Sequence, residues 1–253
     1  MGRIVAIIPA RMASTRFPGK PLVPILGLPM IEHVRRRVAL SPSISEVMVA
    51  TCDQEITDVV AASGGKVVLT ADTHDRCTDR VAEAARPTEA SIIINVQGDE
   101  PCVLPGMLEV LVKPLLDDPT MVCTNLVARI TSDEEFVNTN VVKVVVNLKG
   151  DALYFTREPI PSRQKVTTVD YARYRQLGIV AFKADFLQTF TQLRPTPLEK
   201  AEFVDMLRAV EHGYQVRVVE TGGHMVGVDV PEDIKRVENI LASDPLVEEY
   251  TKW

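Results

Sequence analysis

Several features are missing from this sequence of 253 residues, and each absence excludes a class of protein. No apolar run reaches the roughly 18 residues that a transmembrane helix needs. The four cysteines form no C-x-x-C pair, which argues against a structural zinc site and favours a reducing, cytoplasmic compartment. The net charge of −6 argues against general affinity for nucleic acid or for an anionic membrane.

The rest of the composition is that of a globular protein. Apolar residues make up 46% and aromatic residues 5% of the chain, which excludes disordered and fibrous classes. The length fits one large α/β domain, and neither an internal repeat nor a low-complexity linker interrupts it. We therefore expect residues 1–253 to form a single domain with an excursion around 150–180, of which residues 157–175 are polar and irregular.

Apolar runs that predict strands alternate with stretches that predict helices. In the first half, the predicted strands are residues 4–8, 46–50, 66–69, 91–96 and 121–127, and the predicted helices are 29–40, 54–62, 78–85 and 104–113. This βαβ rhythm is typical of a parallel sheet with helices on both faces. The second half predicts a hairpin of 141–147 and 152–155, strands at 177–182 and 215–219, helices at 184–191, 198–211 and 231–241, and a loose tail at 243–253.

A basic loop follows the first predicted strand. Arg11, Arg16 and Lys20 place three cations within ten residues. Ser14 adds a hydroxyl group, and Gly19 allows the backbone to approach a ligand closely. Because ligands bind at the carboxyl ends of strands in α/β sheets, this composition indicates a polyphosphate site. The spacing is not that of a Walker loop, and the alternative is a solvated basic surface loop.

Two aspartates stand where a strand-end site would need acids. Asp99 follows the apolar run 92–96 and a glycine, and Asp229 precedes a predicted helix that opens with Pro231. One or two carboxylates are what a hard divalent cation that also binds substrate phosphates requires. The alternatives are a turn residue for Asp99 and a helix-capping acid for Asp229.

Five segments of the chain resemble, in order and spacing, those of the CMP-Kdo synthetases, the 3-deoxy-manno-octulosonate cytidylyltransferases. They are Arg11–Pro21 (RMASTRFPGKP), Gln97–Pro101 (QGDEP), Asn140–Val145 (NVVKVV), Ala152–Arg157 (ALYFTR) and Gly227–Asp233 (GVDVPED). The resemblance extends from about residue 3 to about residue 240. Several collinear motifs are far more specific than any one of them.

The resemblance implies a homodimeric enzyme of lipopolysaccharide biosynthesis. Its expected fold is a Rossmann-like α/β nucleotidyltransferase with a mixed, mostly parallel sheet and a smaller inserted dimerisation region. Its expected reaction transfers CMP from CTP to an acidic sugar, Kdo or a related 3-deoxy-2-keto acid, with Mg²⁺ as cofactor and pyrophosphate as the second product. Such a transfer needs positioning and charge neutralisation rather than a covalent nucleophile, so His33 and His212 are given structural or solvent-exposed roles.

The resemblance also assigns roles to individual residues. The nucleotide-binding residues would be Ala10, Arg11, Ser14, Arg16, Lys20, Arg76 and Gln97. The catalytic residues would be Lys20, Arg16 and Asp99, and the magnesium ligands would be Asp99 and Asp229. The acceptor-binding residues would be Gln97, Arg157, Gln176, Glu199, Glu202 and Asp205.

The chain departs from the family pattern at several positions that cluster. Arg76 and Cys77 replace the Ser-Gly pair of the family's His-x-Ser-Gly-Thr motif. Polar side chains of the family are also replaced at four positions that we expect to line the acceptor pocket, namely Gln176, Val180, Phe182 and Met206. Two interpretations stay open: drift in a Kdo enzyme, or a different acid acceptor such as an amino-substituted Kdo analogue or a phosphonate. An inactive nucleotide-binding regulatory protein is the alternative from another class.

Overall fold

The structure is a computed structural model, and it describes residues 2–14, 17–162, 171–222 and 225–251. The chain divides into two compact units. Unit 1 consists of Met1–Glu109 and Met225–Trp253, and unit 2 of Val110–His224. We expected one domain from the sequence, and one of the two boundaries between the units falls inside the helix Pro105–Asp117.

Eleven strands, ten α-helices and one short 3-10 helix (Lys20–Leu22) are formed by the described residues. The strands are β1 (Ile4–Pro9), β2 (Pro24–Ile25), β3 (Leu28–Pro29), β4 (Glu46–Thr51), β5 (Lys66–Leu69), β6 (Ile92–Val96), β7 (Cys123–Arg129), β8 (Lys143–Val146), β9 (Ala152–Thr156), β10 (Tyr174–Lys183) and β11 (Arg217–Glu220). The helices are α1 (Met30–Ala39), α2 (Gln54–Ala62), α3 (Cys77–Ala85), α4 (Pro105–Asp117), α5 (Asp133–Val137), α6 (Ala184–Gln192), α7 (Pro197–Glu202), α8 (Met206–Glu211), α9 (Asp233–Leu241) and α10 (Leu246–Thr251). In these described ranges, no helix has both the length and the apolar character needed to cross a membrane.

The sheet of unit 1 is the parallel sheet that the first half of the sequence predicts. Its strands lie in the order β6-β1-β4-β5, and each neighbouring pair is parallel. All six residues of β1 are buried, as expected for a strand that is covered on both faces and therefore needs a continuous apolar run. Because β1 and β6 are parallel neighbours, the basic loop after β1 and the acidic segment after β6 begin at the same edge of the sheet.

The sheet of unit 2 is mixed. Its strands follow the order β11-β7-β10-β8-β9, with β11 parallel to β7 and the other pairs antiparallel. The predicted hairpin of β8 and β9 is confirmed. It turns at Gly150, whose φ of 83° lies in the left-handed region that glycine adopts without a steric cost.

The single helix predicted over 198–211 is wrong, because α7 and α8 replace it. Phe203 ends α7 with φ 59° and ψ 44°, a left-handed conformation, and α8 starts three residues later. Helices commonly end with a left-handed residue, but glycine or asparagine usually provides it. A phenylalanine carries no such signal, so the apolar periodicity alone predicted one continuous helix.

The loose tail predicted at 243–253 is also wrong for the residues that the structure describes. Residues 246–251 form α10, and Tyr250 is buried. Arg36 donates a hydrogen bond to the Tyr250 carbonyl oxygen (3.1 Å), and Arg37 forms an ion pair with Asp244 (2.7 Å). One buried aromatic ring and two arginines of α1 thus hold a segment whose composition suggested a free end.

His33 of α1 is a buried structural residue. Its Nε2 lies 2.7 Å from the Ile25 carbonyl oxygen, which can only accept, so Nε2 carries the proton. Its Nδ1 then accepts the hydrogen bond from the Tyr250 hydroxyl group at 2.8 Å. Burial lowers the pKa of His33, and the cations Arg37 and Arg36 lower it further, although the Ile25 carbonyl opposes them.

This lowered pKa predicts a pH-dependent stability. The unfolded chain binds a proton at His33 near pH 6.5, whereas the folded chain does not, so the free energy of unfolding should fall as pH drops below that value. The slope from this one residue approaches about 1.4 kcal/mol per pH unit. Urea unfolding measured between pH 8 and 5.5 should give a free energy of unfolding that falls with this additional slope in the wild type and without it in His33→Gln. The exposed His212→Gln is the matched control, and parallel curves for wild type and His33→Gln would contradict the prediction.

Candidate active site

The basic loop after β1 is held by one long-range and one local hydrogen bond. The Met12 backbone amide donates to Asp53 Oδ2 (2.8 Å), and the Phe17 amide donates to the Ser14 hydroxyl group (3.2 Å). Ala10 is buried at the end of β1, and Arg11 is exposed. Gly19 adopts φ 72°, the left-handed turn before Lys20. Arg16 lies outside the described residues, so its nucleotide-binding and catalytic roles stay predictions.

Lys20 connects three segments of unit 1. Its ammonium group donates to Asp99 Oδ2 (2.5 Å) and to the Val228 carbonyl oxygen (2.8 Å), and its side chain is only 13% exposed. The long side chain therefore carries its charge from the basic loop to the acidic segment after β6. Such a poised, partly desolvated cation interacts with a bound anion more strongly than an exposed lysine does.

Asp99 and Asp229, predicted as the metal ligands, lie on adjoining segments. The backbone amide of Val228, next to Asp229, donates to the Asp99 carbonyl oxygen (2.9 Å). A Cβ atom at Gly227 would lie 3.3 Å from that same carbonyl oxygen, so glycine permits the close approach. Asp229 precedes α9, and its backbone amide donates to Oδ2 of Asp233 (2.8 Å), the first residue of that helix, so the Asp229 segment is tied to the start of α9.

The carboxylates of Asp99 and Asp229 fit the way in which magnesium is usually bound, because magnesium does not need a complete set of protein ligands. Within the ranges that the structure describes, no group of three or more His, Cys, Asp or Glu side chains is arranged to hold a metal ion. Mg²⁺ is typically bound through one or two carboxylates, with water and substrate phosphates as the other ligands. Asp99 and Asp229 would supply the two carboxylates. One oxygen of the Asp99 carboxylate, Oδ2, already accepts a hydrogen bond from Lys20.

Arg76 and Cys77 lie at the start of α3. The carboxamide nitrogen of Gln97, which follows β6, donates to Cys77 Sγ (3.1 Å). The preceding loop is fixed to α3 because Glu83 accepts hydrogen bonds from the His74 ring and from the Ala71 backbone amide (3.2 Å). The His74 contact holds the pKa of the Glu83 carboxyl below its usual value. The two departures from the family motif thus lie on an anchored segment, and one of them, Cys77, contacts a predicted nucleotide-binding residue.

Two of the predicted acceptor residues of unit 2, Glu202 and Arg157, contact each other. Glu202 accepts hydrogen bonds from Thr156 Oγ1 (2.6 Å), the Arg157 backbone amide (2.8 Å) and Tyr154 Oη (3.1 Å). Desolvation alone would raise the pKa of Glu202, but these donors outweigh it and hold the pKa below its ordinary value. The Arg157 guanidinium group donates to the carbonyl oxygens of Glu202 (2.8 Å) and Thr139 (3.1 Å), so the arginine is held in one orientation.

Glu199 is placed differently from what its predicted role requires. It is fully buried, and its carboxylate forms a bidentate ion pair with Arg208 at 2.6 and 2.9 Å. It also closes the capping box of α7 with Thr196. Asp205 is half-buried at the N-cap of α8. This geometry gives Glu199 a structural part in unit 2, and its contact with an acceptor stays a prediction.

The four positions expected to line the acceptor pocket divide into two groups. Phe182 is buried in an aromatic cluster with Phe186 and Phe190, and Met206 is buried beside Cys123. Val180 is buried as well, at 7% exposure. Gln176 is the half-buried member of the set, with its side chain bonded to Asn125. Val180 and Phe182, which replace polar side chains of the family, are therefore apolar residues in the core of unit 2.

Residues 5–247 match the cytidylyltransferase family. The chain belongs to this family. The 3-deoxy-manno-octulosonate cytidylyltransferase of Geobacter metallireducens is 46% identical to it over 249 residues, which cover 95% of this chain and 98% of that protein. The enzyme of the same name from Syntrophobacter fumaroxidans is 46% identical over 245 residues, covering 96% and 98%. The predicted enzyme class, a nucleotidyltransferase, is confirmed.

Solved structures agree with this assignment. The structure of a CMP:2-keto-3-deoxy-manno-octonic acid synthetase complexed with CTP superposes on this cytidylyltransferase with a TM-score of 0.89 and 39% identity, covering 95% of this chain and 98% of that one. A cytidylyltransferase from Leptospira borgpetersenii gives a TM-score of 0.66 at 16% identity, covering 96% and 88%, and shares the fold. The predicted α/β nucleotidyltransferase fold is confirmed.

Sequence reasoning missed three side chains that organise this cytidylyltransferase. Asp53 anchors the basic loop, Glu83 anchors the segment before α3, and Asn125 orients Gln176. Asp53 directly precedes α2 and Glu83 lies within α3, and both look like ordinary polar surface residues. Asn125 did carry a signal, because an amide in the middle of an apolar strand requires buried hydrogen-bond partners.

Proposed function

We propose that this protein transfers CMP from CTP to 3-deoxy-manno-octulosonate and releases pyrophosphate. The observation that carries the proposal is the contact of Lys20 with both Asp99 and the Val228 carbonyl oxygen. It joins the basic loop to the two segments that bear the acids, in a chain that shares 46% identity with a 3-deoxy-manno-octulosonate cytidylyltransferase. A protein that only binds a nucleotide has no need of this combination of a cation and two carboxylates.

The reaction requires positioning and charge neutralisation. A hydroxyl oxygen of the acceptor attacks the α-phosphorus of CTP and forms a new P–O bond, while the bond from that phosphorus to the pyrophosphate oxygen breaks and the hydroxyl proton passes to water. Lys20 and the arginines of the basic loop neutralise the triphosphate and the developing charge on the leaving pyrophosphate. Arg157, fixed by two carbonyl oxygens, offers a charge for the carboxylate of the acceptor.

Magnesium is the cofactor that we infer for this reaction. Asp99 and Asp229 would hold it, and it would supply charge stabilisation to the phosphate oxygens. The support is the donor chemistry of these residues and the backbone hydrogen bond that joins their segments.

Asp99→Asn and Asp229→Asn should each lower kcat by about 100-fold or more, because one charged oxygen ligand is lost while the shape of the side chain is kept. Steady-state rates measured across a magnesium titration should also show a weaker apparent affinity for the metal. Glu232→Gln, which changes an exposed acid three residues from Asp229, is the matched control and should keep both values. Normal magnesium dependence in either of the first two variants would contradict the assignment.

The decisive experiment on function is pyrophosphate release from CTP with a panel of acids. We expect turnover with Kdo, a requirement for a divalent cation, and little activity with ATP, GTP or UTP. If only an amino-substituted analogue or a phosphonate is turned over, that acid and not Kdo is the acceptor. CTP binding without turnover of any acid would overturn the proposal in favour of a regulatory protein.

We also infer that the enzyme is a cytoplasmic homodimer, as its resemblance to the family implies. The four free cysteines are compatible with a reducing compartment. Light scattering coupled to gel filtration should give twice the monomer mass of 27.9 kDa. A mass of one chain at assay concentrations would contradict the dimer without affecting the proposed reaction.

A further inference from the structure

Asn125 is a fully buried amide in the middle of β7. Its Nδ2 donates to the carbonyl oxygens of Leu177 (3.1 Å) and Ile179 (3.2 Å) on β10. The pairing of these two strands shifts register between Gln176 and Val180, so the regular ladder does not satisfy the carbonyl groups in that stretch. Asn125 therefore supplies the donor that an irregular, buried segment of β10 needs.

The same contacts determine how the side chain of Gln176 is oriented. Carbonyl oxygens only accept hydrogen bonds, so the nitrogen of Asn125 must face Leu177 and Ile179, and its Oδ1 must face the other way. That oxygen accepts a hydrogen bond from Gln176 Nε2 at 2.6 Å. The nitrogen of the Gln176 carboxamide is thereby directed to Asn125, and its oxygen, Oε1, is the group left to meet a ligand.

Gln176 shares a face of the unit 2 sheet with Arg157. Lys143 of β8 is opposite both Arg175 and Thr156, and the Gln176 amide donates to the Val142 carbonyl oxygen (2.8 Å). Residues 176, 142 and 157 therefore form the next row across β10, β8 and β9, and opposite residues of an antiparallel sheet project from the same face. Residues 176 and 157, at the two ends of this row, are two strand spacings apart, about 10 Å, which is the span of a small sugar acid.

We propose that Asn125 is a positioning residue that makes Gln176 a hydrogen-bond acceptor for a hydroxyl or ammonium group of the acid substrate, and so selects among acceptors. This inference rests on the proposed function. Oε1 of Gln176 is a carboxamide oxygen and therefore only accepts hydrogen bonds. An acid that placed a phosphonate or second carboxylate against Oε1 would be repelled, which favours acceptors that carry a donor there.

The test compares Kdo with analogues in which each hydroxyl group outside the reacting centre is removed in turn, or replaced by an amine or a carboxylate. The wild type should discriminate against one deoxy analogue by about 100-fold in kcat/KM, since a site built for a hydroxyl group rejects its absence strongly. The amine at that carbon should be accepted and the carboxylate rejected. Gln176→Leu should reduce the discrimination to less than about 10-fold, with the KM for CTP unchanged.

Asn125→Leu should reproduce this loss, and the double variant should be no worse than the poorer single variant, because Asn125 acts through Gln176. Gln192→Leu, an exposed change of the same kind on α6, is the matched control and should behave as the wild type. Thermal unfolding monitors the fold. If Asn125→Leu does not fold, Gln176→Leu alone decides, because it leaves the contacts of Asn125 with β10 intact.

Undiminished discrimination in Gln176→Leu would overturn the inference, and so would acceptance of the carboxylate analogue by the wild type. Additive losses in the double variant would overturn the positioning role of Asn125. These results differ from failure of the proposed function, in which the wild type would release no pyrophosphate with any acid. If the wild type and Gln176→Leu both turn over Kdo efficiently and discriminate equally among the analogues, the proposed function is supported and this inference is contradicted.

Discussion

Replacing Lys20 by alanine is expected to lower kcat by about 1,000-fold, while CTP binding weakens less. Lys20 is 13% exposed and contacts Asp99 and the Val228 carbonyl oxygen, so its charge is held in place before the substrate binds. A preorganised charge stabilises the developing charge of the transition state more than the ground state. Single-turnover rates and CTP titrations, measured separately, test both parts of the expectation.

The control for Lys20→Ala is Lys66→Ala. Lys66 forms an exposed ion pair with Glu46 in the same unit, and such pairs contribute about 0–1 kcal/mol to stability. Its removal should leave kcat unchanged. A Lys20→Ala variant with near-normal turnover would show that the loop is only a basic surface feature, and the proposed function would lose the observation that carries it.

The second large effect is expected in stability. Arg208→Met should lower the free energy of unfolding by about 3–5 kcal/mol, because it leaves the fully buried Glu199 carboxylate without its cationic partner. The loss of the Arg208 contact with the Phe190 ring adds to the effect. Denaturant unfolding measures it, and Lys200→Ala on the exposed face of α7 is the matched control.

The same pair separates the two roles of Glu199. The double variant Glu199→Leu with Arg208→Met should recover much of the stability, since no uncompensated charge remains. If Glu199 also binds the acceptor, the double variant will fold but will show a raised KM for the acid alone. A double variant that folds and keeps its acceptor KM would assign Glu199 to structure only.

Local patterns were sufficient for most of the fold. The continuous apolar run of β1 predicted a strand buried on both faces, and the alternation of strands and helices predicted the parallel sheet of unit 1. The break after α7 was missed because Phe203 adopts a conformation that glycine usually marks. The docked C-terminal helix was missed because Tyr250 is buried by residues more than 200 positions away in the chain.

The candidate site was predictable to the same extent. Lys20, Asp99 and Asp229 could be chosen because each lies at the end of an apolar run or the start of a helix, and parallel neighbours end at one edge of a sheet. Glu199 could not be excluded from the acceptor set by sequence, because a carboxylate near a helix start looks the same whether its partner is a ligand or a buried arginine.

The sequence by itself determined the identity of most elements and the family, because apolar periodicity and collinear motifs are properties of neighbouring residues. Only the tertiary structure decided which polar groups meet. The contact of Lys20 with Val228 spans 208 positions, and that of Asn125 with Gln176 spans 51 positions. A hydrogen bond needs its two atoms within about 3 Å, and no local pattern encodes that distance between remote segments.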